Sequence, residues 1–104
     1  TTTAGDVRDP QTFARAAEAA GDALEGLVYA VGTITLKSFA RLTEEEFLDD
    51  LRVNAVGAAR AVQTHLPALK RASGTGSVVL FSSVAAAQGF AFHGSIGMAK
   101  AAVE

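Results

Sequence analysis

The sequence predicts an α/β fold, a parallel sheet doubly wound by helices into three α/β/α layers, of which the chain carries the central portion. Three observations lead there. Short apolar runs at residues 27–31 (LVYAV) and 77–81 (SVVLF) alternate with segments of helical periodicity. Both runs are apolar on their two faces, which suits strands of a parallel sheet covered by helices on either side. The helical segments between them are long enough to serve as right-handed crossovers.

Taken in order, the opening TTTAGD reads as the last half of a first strand, ending at Asp6. Asp9-Pro10 starts a helix, with the aspartate as N-cap and the proline at the first helical position, where no amide donor is needed. Phe13, Ala16, Ala17 and Ala20 then repeat at helical spacing up to Gly21. Residues 27–31 form the second strand, closed by Gly32. Thr43 with Glu46 three residues on is a capping box. The helix it opens is expected to run from about Glu44 towards Arg71. Phe47, Leu48, Leu51, Ala55, Ala58, Val62 and Leu66 mark its apolar face, and Pro67 is expected to kink or end it. Residues 73–76 are a turn, and 77–81 the third strand. Residues 85–94 form a small-residue loop carrying Phe90, Phe92 and His93, and helical composition resumes from about Ser95.

The chain has 104 residues, 49% of them hydrophobic, and a net charge of −2, which bounds it to one domain with a single core. A mildly acidic balance without a basic stripe argues against nucleic acid or an anionic membrane as partner. The absence of cysteine excludes disulfides and thiolate metal sites. No apolar run is long enough to span a bilayer, and no basic segment precedes an apolar stretch, so a soluble, cytoplasmic protein is expected. The chain starts without Met and stops at AKAAVE inside a helical pattern lacking a C-cap, so a piece of something longer is expected.

In a parallel α/β sheet, ligands sit beyond the carboxyl ends of the strands. Asp6, Gly32 and Ser83 follow the three predicted strands and so form a candidate rim: a carboxylate, a close-approach glycine and a hydroxyl. Glu44, Glu45, Glu46, Asp49 and Asp50 near a helix start are read as caps, dipole partners and a solvated face, not as a metal site. His65 is read as a helix-surface histidine.

Five segments, in order, resemble the short-chain dehydrogenase/reductase family: AGDVRD (4–9), LVYAVG (27–32), RVNAVGA (52–58), SVVLFSS (77–83) and IGMAK (96–100). The resemblance implies a Rossmann-like fold and an NAD(P)-dependent oxidoreductase acting on a small-molecule carbonyl or alcohol. It assigns Asp6 to the adenine. It sets Tyr29 and Gly32 in the cofactor-binding NNAG segment, with Tyr29 and Ala30 in the two asparagine places. Asn54 becomes the active-site asparagine that bends its helix and holds a water. Ser83 becomes the catalytic serine that hydrogen-bonds a substrate carbonyl. Lys100 becomes the lysine that bonds the nicotinamide ribose and lowers a neighbour's pKa. The cofactor is NAD or NADP, without a readable preference. The resemblance also implies a homodimer or homotetramer formed through the helices after Glu44 and Ser95.

Two departures stand out. No glycine-rich turn leads from a strand into a helix, and Gly74-Thr75-Gly76 precedes a strand instead. Ile96 occupies the place of the family's tyrosine, and isoleucine can neither give nor take a proton. Ser95 is rotated about 100° off that helix face. His93, three residues earlier, carries the side chain that ordinarily exchanges protons near neutrality. The alternative implied by Ile96 is a catalytically impaired nucleotide-binding or oligomeric scaffold protein of the same fold.

Overall fold

The computed structural model describes residues 1–104 throughout. The Asp9 side chain accepts from Gln11 N at 2.9 Å, and Pro10 opens helix α1 (Pro10–Ala20). Gly21 ends it at φ 91°, ψ −170°, a region open essentially to glycine alone. Strand β1 (Gly26–Tyr29) follows, then a loop with a single 3-10 turn at Phe39–Arg41. The capping box forms as predicted. Glu46 N donates to Thr43 Oγ1 at 3.2 Å, and Thr43 N donates to Glu46 Oε2 at 2.9 Å, launching α2 (Glu44–Leu51). A π-helical stretch, Arg52–Val56, carries α2 without a break into α3 (Gly57–Lys70). Strand β2 (Ser77–Leu80), a 3-10 turn at Val84–Ala86 and α4 (Gly94–Ala101) complete the chain.

The two strands pair in parallel, Gly26 opposite Ser77 and Tyr29 opposite Leu80, with the long α2–α3 helix as their crossover. That is the α/β arrangement the sequence predicts. The core sits between α1, β1 and α3, where Phe13, Tyr29, Ala58 and Ala61 meet, flanked by Val7 and Leu27. The alanines let the helix backbone approach the strand closely. Burying a side chain the size of Phe13 stabilises by about 1.5–3 kcal/mol, so this residue and Tyr29 dominate a small core. Helix α4 packs on α2, burying Ser95, Ile96 and Ala99. The loops after the two strands are tied together where Lys37 N donates to the Phe92 carbonyl at 3.2 Å. Phe92 adopts φ 64°, the sole non-glycine residue in the left-handed region.

Several expectations are corrected. Residues 1–6 form no strand, because no backbone lies alongside to supply ladder hydrogen bonds; they are held instead by Arg15 donating to the Ala4 carbonyl and Asp9 N to the Asp6 carbonyl. The strands stop at Tyr29 and Leu80, two residues and one residue short of the predicted ends. Of the two outcomes expected at Pro67, a helix end does not occur: the proline lies inside α3, where Gln63 and Pro67 are both exposed and water can serve the carbonyl left without an amide donor. His65 is buried, not on the surface; its Nδ1–H donates to the Ala61 carbonyl at 2.8 Å, which satisfies the polar edge. Asp50 is buried as well. The buried residues of the long helix are Asp50, Val53, Asn54, Gly57, Ala58, Ala61, His65, Ala68 and Leu69, whereas Leu48 and Leu66 face out.

Candidate functional site

Beyond β1 the chain passes Ala30 and Val31 to reach Gly32; beyond β2 it passes Phe81 and Ser82 to reach Ser83. Helix α4 returns Lys100 to the end of β2, where its Nζ donates to the Phe81 carbonyl at 2.8 Å. A methyl group on Gly32 would stand 2.9 Å from Asn54 Oδ1 and 3.9 Å from Lys100 Nζ. Gly32, Asn54 and Lys100, from three separate elements, therefore meet at the carboxyl ends of both strands.

Asn54 is 1% exposed and lies in the middle of the π-helical stretch. Its Nδ2 donates to the Asp50 carbonyl at 2.9 Å and to both the carbonyl and the hydroxyl of Thr33 at 3.2 Å. The Asp50 carbonyl, four residues back, is the acceptor that a regular α-helix would reserve for backbone. The side-chain amide shares it, and the helix widens there by one residue, Gly57 N donating to Arg52 O. Carbonyls only accept, so the amide nitrogen must face them and Oδ1 must face the other way, towards Gly32 and Lys100. Oδ1 is buried and has no protein partner.

Asp50 was not legible as a site neighbour. It is 0% exposed, its Oδ1 accepts from the Thr33 hydroxyl at 2.8 Å, and its Oδ2 has no partner. Leaving a buried acceptor unpaired costs about 1–3 kcal/mol. The one signal in the sequence was position: Asp50 precedes Asn54 by four residues and so shares its helix face.

Ser83 is half-buried. Its Oγ accepts from Ala85 N at 3.2 Å, capping the turn Val84–Ala86 and leaving the hydroxyl proton free. Its neighbour Ser82 instead donates to Glu104 Oε1 at 2.6 Å. Asp6 is exposed, and the backbone amide of Arg8 (2.8 Å), then its guanidinium (3.3 Å), hold its carboxyl below the usual range. Arg8 also forks onto Asp49, with both N···O distances 2.7 Å, which raises the guanidinium pKa and lowers that of Asp49. An open groove of about 430 Å³ joins Asp6 and Arg8 to Gly32, Thr33 and Val53.

Tyr29 lies inside the fold. Strand alternation turns its ring into the core, where the hydroxyl donates to the Val53 carbonyl at 2.6 Å and the ring lies against Gly57. Burial raises its pKa above the usual 10.0. The side chain holds two segments together.

The sequence profile of the family described as enoyl-(acyl carrier protein) reductase matches residues 1–104. The chain belongs to the short-chain dehydrogenase/reductase family. A solved short-chain dehydrogenase from Streptomyces avermitilis is similar in structure, with a TM-score of 0.85 and 29% sequence identity over 97% of this chain. The chain spans 38% of the length of that neighbour. Its parallel strands and helices thus correspond to part of the Rossmann-like fold of the short-chain dehydrogenases/reductases. No curated protein matches it. No helix is long and apolar enough to cross a membrane.

Within this family framework the place of the tyrosine is filled by Ile96, which is 4% exposed and one helical turn before Lys100. Ser95 is no substitute, because its buried hydroxyl is directed at the Glu46 carbonyl of α2 at 3.4 Å. His93 donates from Nδ1 to the Ala91 carbonyl at 2.7 Å, and its ring tilts against Phe90 with centroids 5.7 Å apart. It lines a separate open hollow of about 300 Å³ with Phe90, Gly94 and Met98. Neither Gly32, Asn54 nor Lys100 lines that hollow, so His93 is not brought into their cluster.

Proposed function

We propose that the protein is an NAD(P)-dependent oxidoreductase that interconverts a small-molecule carbonyl and its alcohol. What supports this most is the convergence of Gly32, Asn54 and Lys100 at the carboxyl ends of two parallel strands, where sheets of this kind hold their ligands. A nicotinamide dinucleotide, when bound, supplies the hydride. The residues present fit such a group. Lys100 gives one proton to the Phe81 carbonyl and keeps others for ribose hydroxyls. Gly32 carries no Cβ to block close approach, and Asp6 stands further along the same groove, on the adenine side. Ser83 offers its free proton to the substrate oxygen. The unpaired Asn54 Oδ1 is an acceptor for a water that would pass a proton from bulk solvent to the substrate oxygen and be reprotonated from solvent, in a site without the tyrosine.

A specific observation favours a second reading. Buried Ile96 removes a general acid whose help is typically worth roughly 100- to 10,000-fold. A nucleotide-binding or scaffold protein of this fold tolerates that loss without consequence. Titration of the full-length protein with NADH and with NADPH, followed by turnover on a carbonyl panel, separates the two. Binding with turnover that falls in Ser83→Ala supports the oxidoreductase. Binding without turnover, with activity gained in Ile96→Tyr, supports the scaffold reading. No binding of either cofactor sinks both. Self-association through α2–α3 and α4, as a homodimer or homotetramer, is part of the proposal and is supported by exposed Leu48, Val56, Leu66 and Met98 on those helices. A concentration-independent monomer in sedimentation rules it out.

A further inference from the structure

We propose that Asp50 and Thr33 are a positioning pair that fixes the direction of Asn54 and keeps its oxygen aimed into the site. The proposal rests on the reading of Asn54 as a site residue. Asp50 holds Asn54 twice. Its backbone carbonyl accepts directly from Nδ2 at 2.9 Å, and its carboxylate acts through Thr33.

The second hold is directional. A hydroxyl can turn either way, as donor or as acceptor. Thr33 Oγ1 lies 2.8 Å from Asp50 Oδ1 and 3.2 Å from Asn54 Nδ2. A carboxylate oxygen accepts, so the hydroxyl proton goes to Asp50 and a lone pair is left for the asparagine. The chain of donors then runs one way, from Asn54 to Thr33 to Asp50. An apolar residue at position 50 would leave the hydroxyl without its acceptor, so nothing would hold its lone pair towards the amide. The asparagine would then lose one of its tethers.

Tight positioning matters at this point because there is no slack. Asn54 Oδ1 lies 2.9 Å from where a Gly32 side chain would begin, so a drift of the amide takes the acceptor out of the space that the glycine leaves open. Packing alone does not account for Asp50. A fully buried carboxylate with one oxygen unpartnered is a poor filler, and an apolar residue of similar volume would ordinarily serve the core better. What the carboxylate adds is the fixed direction of the network.

The test uses the full-length protein and the variants Asp50→Leu, Asp50→Asn and Thr33→Val. Asp50→Leu and Thr33→Val are expected to lower kcat by on the order of tenfold or more. Asp50→Asn keeps an oxygen for the Thr33 proton and is expected to recover most of that loss. In parallel, NMR follows hydrogen exchange of the Asn54 side-chain amide, which is expected to be slow in the parent and in Asp50→Asn and clearly faster in the other two. Should Asp50→Leu not fold, the nearly isosteric Thr33→Val carries the test. The proposal is overturned if Thr33→Val keeps both the parent kcat and the parent amide protection, or if Asp50→Asn falls as far as Asp50→Leu. A parent protein with no turnover sinks the oxidoreductase reading, and amide exchange then decides the positioning role by itself.

Discussion

Gly32→Ala probes the geometry of the site with a single methyl group. The added carbon would stand 2.9 Å from Asn54 Oδ1, whereas ordinary contact begins at 3.4 Å, so the two must separate by a further 0.5 Å. Asn54 cannot yield this freely, because its Nδ2 is tethered to the Asp50 carbonyl and to two oxygens of Thr33. Overpacking of this kind costs about 1–3 kcal/mol, and each hydrogen bond broken to relieve it about 0.5–1.5 kcal/mol. Gly32 is not at positive φ, so alanine meets no backbone strain and the whole effect is steric. Denaturant unfolding of the full-length variant is therefore expected to show a loss of about 1–3 kcal/mol, accompanied by weaker cofactor binding. Gly26→Ala is the control, because its new carbon meets nothing nearer than the Ser77 carbonyl at 3.8 Å. If Gly32→Ala unfolds at the same midpoint as Gly26→Ala and binds cofactor as the parent does, then Gly32 and Asn54 are not in contact and the convergence is wrong.

Tyr29→Phe removes the hydrogen bond to the Val53 carbonyl and is expected to cost about 1 kcal/mol with cofactor affinity unchanged; a drop in affinity would place Tyr29 at the cofactor site. Gly21→Ala meets no neighbour within 4 Å, yet the position's φ of 91° predicts a loss of about 1–3 kcal/mol, and an unmoved unfolding midpoint would contradict it. Glu46 is held below 4.5 chiefly by its bond from Lys37, and Asp49 below 3.8 chiefly by Arg8. Folded, these groups bind protons less readily than in the unfolded chain. The stability they add is thus complete above about pH 5 and lost as pH falls through their folded values, a small limb that Lys37→Met and Arg8→Met should flatten and salt should weaken. Tyr29 has the opposite sign: burial raises its pKa above 10.0, so its contribution is present below about pH 10 and lost as pH rises through the folded value, a limb that Tyr29→Phe should abolish.

The parts of the fold that were legible in the sequence are those whose partners lie close along the chain. A cap is written within a few residues, so Asp9-Pro10, Gly21 and the Thr43–Glu46 box all form where expected. A strand is only half-written in its own residues, since its hydrogen bonds come from a neighbour, and residues 1–6 look like a strand without forming one. LVYAV is apolar at every position, so nothing in it says which side chains meet the helices, and the burial of Tyr29 was not legible. Asp50 and His65 were placed outside because of their residue type. Each is inside because a specific partner satisfies it: the Thr33 hydroxyl, distant in sequence, in one case and the Ala61 carbonyl in the other. The meeting of Gly32, Asn54 and Lys100 followed from chain order and family resemblance, whereas the Thr33–Asp50 support beneath it depends on packing that no local pattern encodes.

The unpaired acceptors constrain how Ile96 is read. A protein that kept only the fold would gain by replacing Asp50 and Asn54, because each leaves a buried oxygen without a donor, at about 1–3 kcal/mol apiece. Of the two, Asn54 Oδ1 is the one that faces Gly32, and both readings of the function place a bound group there. They part only over the proton. Ile96→Tyr addresses this directly, since position 96 lies one turn from Lys100 on the helix that already delivers the lysine to the end of β2. If Ser83, Asn54 and Lys100 stand ready, a phenol restored there should raise turnover by roughly 100- to 10,000-fold, provided that the chemical step limits the rate. A variant that folds, binds cofactor as the parent does and turns over no faster would mean that Ile96 is not the missing piece. The water path through Asn54 Oδ1 would then be the proton route to examine, and Asp50→Leu, which disturbs that oxygen's support without touching position 96, should slow turnover in both backgrounds alike.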